Sequence, residues 1–268
     1  MKTGLIGCGR MGSALIGGII NSGLTPANQV TVYDPDKESV ARLTSQTGAL
    51  SAADNPELAA NSEIILLAVK PMYIVTVLQE IAPVITPQHL LISIAAGITL
   101  EKMESACPPD TRIIRAMPNT PALIGLGATG IAPGSCANQD DLTTAQQLLE
   151  SVGIVSITQE DQLDAVTGLS GSGPAYVYTF IESLTLQAEK EGLTHDQALQ
   201  LAIQTVIGAA KMVEQTGMSP RDLINQVTSP GGTTLAGLAA LTEHGFENSI
   251  AAGVHAASER SREIATEA

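Results

Sequence analysis

Gly7-Cys8-Gly9-Arg10-Met11-Gly12 follows the apolar run Thr3–Gly7 and opens the helix-like stretch Met11–Ser22. A G-x-G-x-x-G in that position decides the fold, because each glycine has its own reason to lack a side chain. Gly7 permits a tight turn out of a strand, Gly9 lets the backbone come close to a diphosphate, and Gly12 lets helix and strand pack closely. The unpaired N–H groups and the dipole at the helix start then favour an anion such as the diphosphate of a dinucleotide. Ile6, Gly7, Cys8, Gly9, Arg10, Met11 and Gly12 are the expected cofactor-binding residues of this turn.

The first half of the chain repeats the alternation. Apolar runs recur at Val30–Tyr33, Ile64–Val69, Leu90–Ile94, Arg112–Arg115 and Ile154–Ile157, with helix-like stretches such as Asp36–Thr47 between them. Ile64–Val69 is apolar at every position, the pattern of a central strand in a parallel sheet covered on both faces. These features predict an α/β, doubly wound, Rossmann-type domain over residues 1–160. Beyond 160 the strand signal stops. Pro174 opens an apolar-periodic helix that ends near Gly192, and Thr194-His195-Asp196-Gln197 reads as a capping box for a helix ended by Gly217. Ser219-Pro220 starts another, and Thr234–Leu241 and Glu247 onward complete an all-helical C-terminal domain, expected over 161–268. Its Ala- and Leu-rich helices make a weak core, so their second apolar face is expected against another subunit.

Ligands of open α/β sheets bind beyond the carboxyl ends of the strands. Ala68, Val69, Lys70, Pro71, Ala95, Ala96 and Asn119 occupy such ends and are expected to line the cofactor, with the small Ala95–Gly97 giving room to a flat nicotinamide ring. Lys70 has a second reading as a solvated surface lysine. Asp34 ends the second strand, 22 residues past Gly12. It either holds the ribose hydroxyls of the dinucleotide or begins a turn with Pro35. In the first reading it repels a 2′-phosphate, so that NADH is preferred over NADPH unless Lys37 or Arg10 offsets it.

Composition narrows the function. The 268 residues are 44% hydrophobic and 15% charged, with a formal charge of −14. A folded, water-soluble protein fits these values, and the charge argues against nucleic acid or an anionic membrane as partner. No run of about 18 apolar residues suggests a membrane span. The chain enters a strand at once, without the basic and apolar regions of a secretory signal. Cys8, Cys107 and Cys136 are too scattered for a disulfide framework or a zinc site, so no metal and a cytoplasmic location are expected.

Two segments of the helical half carry further chemistry. Leu169-Ser170-Gly171-Ser172-Gly173-Pro174-Ala175-Tyr176 and Val227-Thr228-Ser229-Pro230-Gly231-Gly232-Thr233-Thr234 are small-residue loops entering helices. Both offer N–H groups and hydroxyls that suit a carboxylate; both are also readable as ordinary capped turns.

Together, Ile6–Gly12, Ala68–Pro71, Ser93–Gly97, Arg115–Pro121, Ser170–Tyr176 and Asp222–Leu241 resemble the pyrroline-5-carboxylate reductases, in order and over nearly the whole chain. Val227–Thr234, with Ala236 and Leu238 after it, is the most specific of these matches. The resemblance implies NADPH- or NADH-dependent reduction of the C=N bond of 1-pyrroline-5-carboxylate to L-proline, the last step of proline biosynthesis. It implies a homodimer, or a larger homo-oligomer built from dimers, formed through the helical domain. It also implies that Ser172, Ser229, Gly231, Gly232, Thr233 and Thr234 bind the substrate, with the Thr234 hydroxyl near the ring nitrogen as the catalytic group. An imine carries its own proton near neutrality, so no strong general acid is required. In keeping with this, no Lys or His lies between Ser170 and Glu189; His195, His244 and His255 are expected at the surface, and Lys211 has no assigned face.

Overall fold

The computed structural model describes residues 1–267. Eight strands, β1 (Thr3–Ile6), β2 (Val30–Tyr33), β3 (Leu50–Ser51), β4 (Ile64–Leu67), β5 (Leu90–Ser93), β6 (Arg112–Met117), β7 (Gly127–Pro133) and β8 (Gly153–Ile157), form one sheet in the order β3-β2-β1-β4-β5-β6-β7-β8. Neighbours are parallel except β6 and β7. The order reverses between β1 and β4, which makes the carboxyl ends of those two strands the switch point where such sheets open a crevice. Register brings the rim level: Ile6 pairs with Tyr33 on one side and Leu67 on the other, and Leu67 pairs with Ser93.

Helices cover both faces. Leu5, Leu66 and Ile92 face one core with Leu15, Ile16 and Ile19 of α1 (Arg10–Asn21). Their neighbours Ile6, Ile65, Leu67 and Leu91 face the other with Leu58 of α3 (Asn55–Ala60) and Ile74 and Leu78 of α4 (Ile74–Ile81). Alternation of side chains along each strand produces this division, and continuous apolar runs are what a sheet buried on both sides requires. Further helices are α2 (Lys37–Thr47), α5 (Leu100–Ser105), α6 (Gln139–Glu150) and α7 (Leu163–Val166). Two strands depart from the alternation read in the sequence. β3 has two residues, and β7 carries Gly127, Gly130 and Pro133, which mask a strand pattern. At Gly130 a Cβ would come within 2.9 Å of Val166 on α7, so the strand lacks a side chain where a helical turn lies against it.

The chain forms two compact units. One holds Met1–Ser172 and the residues from His255 onward; the other is Gly173–Val254. The sheet unit thus extends past residue 160, because α7 and the turn after it pack on β7 and Asn119. The helical unit comprises α8 (Gly173–Lys190), α9 (His195–Thr216), α10 (Pro220–Val227), α11 (Thr233–Glu243) and the start of α12 (Phe246–Glu267). Its stops and starts follow local chemistry. Thr194 and Gln197 form the capping box of α9, Gly217 ends it at φ +64°, and the Ser219 side chain accepts from Asp222 N–H with Pro220 in first position. No described helix is long and apolar enough to cross a membrane.

Candidate active site

The glycine-rich turn has a reason for each missing side chain. Gly7 sits at φ +104°, and a Cβ there would press within 2.7 Å of the Ala68 backbone. A Cβ on Gly12 would lie 2.2 Å from the Gly7 carbonyl oxygen, so helix and turn can be this close only without one. At Gly9, by contrast, a Cβ would meet nothing within 4 Å. The turn is tight at its two ends and open in its middle, as a backbone that receives a diphosphate must be. Gly9 also precedes α1 as its N-cap without any side-chain hydrogen bond, leaving the first N–H groups of a 12-residue helix for a ligand.

Asp34 fixes this turn to the end of β2. Its Oδ2 accepts from Cys8 N–H at 2.8 Å and its Oδ1 from Asp36 N–H at 2.8 Å, while Gly7 N–H donates to the Tyr33 carbonyl at 2.9 Å. The two readings of Asp34 are therefore compatible: it orders the turn and also lines a cleft of about 550 Å³ with Tyr33, Lys37, Val40 and Ala52. Tyr33 and Ala52 are not legible as site residues in the sequence; only strand register brings them to the rim. Cys8 is fully shielded from water. Burial, and then the nearby Asp34 carboxylate, push its thiol up to about 12, so it stays neutral.

The remaining strand ends differ among themselves. Ala68 N–H donates to the Ile6 carbonyl at 2.8 Å, which places Ala68 and Val69 beside the turn. Lys70 is exposed and precedes a 3₁₀ turn, Pro71–Tyr73. Ala95 is buried and Ala96 exposed. Asn119 is 8% exposed, and its amide is engaged at both ends: Nδ2 donates to the Ser170 carbonyl at 2.9 Å, and Oδ1 accepts from Ala128 N–H at 2.8 Å.

The two small-residue segments are built unlike one another. Leu169–Ser172, read as a loop, lies in a π-helical turn, Thr167–Gly171, closed by Ser172 N–H donating to the Thr167 carbonyl at 2.8 Å. Ser229–Gly232 is a true turn, with Gly232 N–H donating to the Ser229 carbonyl at 2.9 Å and Gly231 at φ +72°. Gly232 is the N-cap of α11 and offers no side-chain cap. Thr233 and Thr234 open that helix and are exposed. Among the described residues, the hydroxyls of Ser172, Ser229, Thr233 and Thr234 make no hydrogen bond, although most other Ser and Thr hydroxyls of the helices bond back to a carbonyl one turn earlier.

The His, Lys, Asp and Glu side chains of the helical unit lie outside these segments. His195 pairs with Glu189 at 3.3 Å and Lys211 with Glu214 at 2.7 Å, both near the surface, and the His244 ring bonds the Ala240 carbonyl. Among the described residues, no three His, Cys, Asp or Glu side chains form a metal-binding group.

Known proteins with this arrangement are consistent along the whole length. Residues 2–97 match the family described as NADP oxidoreductase coenzyme F420-dependent, and residues 160–264 match pyrroline-5-carboxylate reductase dimerisation. The pyrroline-5-carboxylate reductase of Methanosarcina acetivorans is 42% identical over 98% of this chain and 97% of its own. That of Escherichia coli is 40% identical over 98% of both. The solved structure of a pyrroline-5-carboxylate reductase from Coxiella burnetii superposes with a TM-score of 0.93 at 34% identity, covering 98% of each chain. The Plasmodium falciparum pyrroline carboxylate reductase solved with NADP bound gives 0.88 at 35% identity, covering 99% of this chain and 98% of that one. Prephenate dehydrogenase from Aquifex aeolicus, 14% identical with a TM-score of 0.55, shares the fold alone. A dinucleotide turn on a doubly wound sheet, a helical dimerisation half and relatives of about 40% identity over the full length place this chain in the pyrroline-5-carboxylate reductase family of NAD(P)-dependent oxidoreductases.

Proposed function

We propose that this chain reduces 1-pyrroline-5-carboxylate to L-proline with NADPH or NADH, and that Ser229–Thr234 receives the substrate. The observation that carries this reading is the uncapped start of α11: free backbone N–H groups beside the hydroxyls of Ser229, Thr233 and Thr234, which have no internal partner. An 11-residue helix presents a partial positive charge at that end, which suits the carboxylate of the substrate and leaves its ring to one side. The Thr234 hydroxyl then hydrogen-bonds the ring nitrogen without placing a second full charge in the site. The nitrogen of a cyclic imine is basic enough to arrive protonated, so the residues have only to position the ring and exclude water. Such positioning is worth several orders of magnitude in rate. The lack of Lys and His from 170 to 189 fits a site that needs no strong acid or base.

The open middle of the Gly7–Gly12 turn and the free N–H groups of α1 hold the diphosphate, with Ile6 to Met11 and Ala68 to Pro71 along it. Asp34 faces the ribose, and Ala95 and Ala96 leave space for the nicotinamide ring. When bound, the reduced nicotinamide supplies the hydride that the C=N carbon accepts. We further place the protein in the cytoplasm, as a homodimer or a larger homo-oligomer built from dimers, without nucleic-acid or membrane partners; the charge of −14 supports the last of these.

Incubating the protein with pyrroline-5-carboxylate and each reduced cofactor, and following loss of nicotinamide absorbance with proline as product, tests the reading. Turnover with either cofactor is the expected result. Firm dinucleotide binding with no turnover would mean a binding protein, or a reductase of another imine.

A further inference from the structure

The π-turn at Thr167–Gly171 has a chemical origin in the sequence. In an α-helix the carbonyl of residue 170 receives the N–H of residue 174. Pro174, in the first turn of α8, has none, and in an unbroken α-helix its ring would press against that same carbonyl. The chain meets both problems here. The turn opens to an i to i+5 bond, Ser172 N–H to the Thr167 carbonyl at 2.8 Å, and the stranded Ser170 carbonyl takes its hydrogen bond from Asn119 Nδ2 at 2.9 Å. The other end of the same amide accepts from Ala128 N–H at the head of β7, so Asn119 is anchored to the sheet as it holds the turn. Gly171 completes the seat, since a Cβ there would lie 2.8 Å from Met117 Cε.

The geometry points to Asn119 as a positioning residue for the substrate: it supplies the donor that Pro174 lacks, and so fixes the π-turn from which Ser172 projects. The inference rests on the reading of Ser172 as a substrate contact. Asn119 is itself buried and has an internal partner at each end of its amide. Its effect therefore passes through the orientation of Ser170–Ser172. Single-turn π-segments recur at functional sites because the extra residue re-aims the side chains after it.

A double-mutant cycle tests the pairing, since Pro174→Ala restores the missing N–H. Wild type, Asn119→Ala, Pro174→Ala and the double variant are compared for KM toward pyrroline-5-carboxylate, for Kd of the reduced dinucleotide by its fluorescence, and for unfolding midpoint. Asn119→Ala is expected to raise KM about 10-fold, the scale of one unsatisfied buried acceptor, with the dinucleotide Kd within about 2-fold. In the Pro174→Ala background the same change is expected to cost less than about 3-fold, because residues acting through one hydrogen bond do not add. Asn119→Asp keeps the acceptor for Ala128 and loses the donor, so it serves if the alanine variant fails to fold. A rise in dinucleotide Kd with KM unchanged would overturn the inference and make Asn119 a cofactor contact. Equal costs in the two backgrounds would overturn it as well. Should the wild type not turn over pyrroline-5-carboxylate, the functional reading fails, and the pairing is judged on the midpoints. Coupled midpoints support it, and additive ones end it.

Discussion

Leu66, Ile65 and Leu78 of the sheet unit are wholly shielded from water, whereas Leu201 at 57%, Ile207 at 48% and Val227 at 64% stand open in the helical unit. Between residues 173 and 254 the hydrophobic side chains that become buried are two alanines, Ala198 and Ala202. One unit buries a core of its own on both faces of the sheet, while Met72, Ile124 and Ile154 stay exposed at its edges. The other forms well-capped helices whose large side chains stay uncovered, although burial of an apolar face is where most helical stability comes from in proteins. Patches of that kind mark interaction sites, and residues 160–264 match a dimerisation family. The sheet unit thus has a core of its own within one chain, whereas the helical unit has almost none and matches a dimerisation family.

The largest effects should break this contrast from either side. Leu66→Ala removes a core side chain with 0% exposure and is expected to cost about 2–5 kcal/mol. That loss should be independent of protein concentration in thermal or denaturant unfolding. Ile207→Glu, one turn from Ile203 on the same face of α9, is expected to leave the sheet unit folded and raise the dimer dissociation constant about 100-fold. Burying an unpaired carboxylate in an interface costs on the order of 3 kcal/mol or more. Sedimentation across a concentration series reads the change. An Ile207→Glu protein that stays fully dimeric would mean that this face of α9 is covered by something other than the second copy.

Thr234→Ala comes next, and it separates the two units by function. It is expected to lower kcat/KM on the order of 10- to 1000-fold, the scale of one transition-state hydrogen bond. The dinucleotide Kd should hold within about 2-fold, because the glycine-rich turn proposed to receive the diphosphate lies in the other unit. Full activity in this variant would leave Thr234 without a role.

The sequence made the ends of this molecule plain and left its joints obscure. Gly7–Gly12, the all-apolar Ile64–Leu67 and the caps at Thr194 and Ser219 each carry their reason locally, in spacing or in one side chain bonded three residues on. β7 could not be read that way, since Gly127 and Gly130 are dictated by what packs on them and, with Pro133, break any strand pattern. The π-turn was hidden for the opposite reason. Pro174, which leaves the Ser170 carbonyl without a helical donor, was visible, but the donor that carbonyl receives comes from Asn119, 51 positions away. The return of the chain to the sheet unit after His255 is likewise a matter of contacts: Ser261 Oγ donates to Asp164 at 2.6 Å, and Ile264 sits against Gly97.

A smaller effect concerns the neutral thiol held inside the sheet unit. The Cys8 thiol is raised from 9.0 to about 12 in the folded protein. The unfolded chain ionises first as pH rises, so the stability tied to the neutral thiol is complete below about pH 9 and is lost as pH climbs toward the folded value. By about pH 10 the loss amounts to about 1 kcal/mol. Cys8→Ala should remove that part of the alkaline decline in unfolding midpoint, with Cys136, which is exposed, as the control position. An unchanged decline would show that other groups govern it.

The smallest expected effect concerns cofactor choice. Asp34 accepts from two backbone N–H groups, so truncating it to alanine would disturb the Gly7–Gly12 turn along with any ribose contact. Asp34→Asn is the sharper change: it keeps the side-chain shape and one acceptor while removing the charge that, on the proposed ribose contact, would repel a 2′-phosphate. Relative use of NADPH over NADH is expected to rise about 3- to 10-fold, about 1 kcal/mol of lost repulsion. Affinity for NADH should fall somewhat as the Cys8 bond weakens. The ratio of kcat/KM for the two cofactors isolates the charge effect, because a loosened turn would weaken both alike. A ratio that does not move while both affinities drop would reduce Asp34 to its structural bonds and leave Lys37 and the free N–H groups of α1 to set the preference.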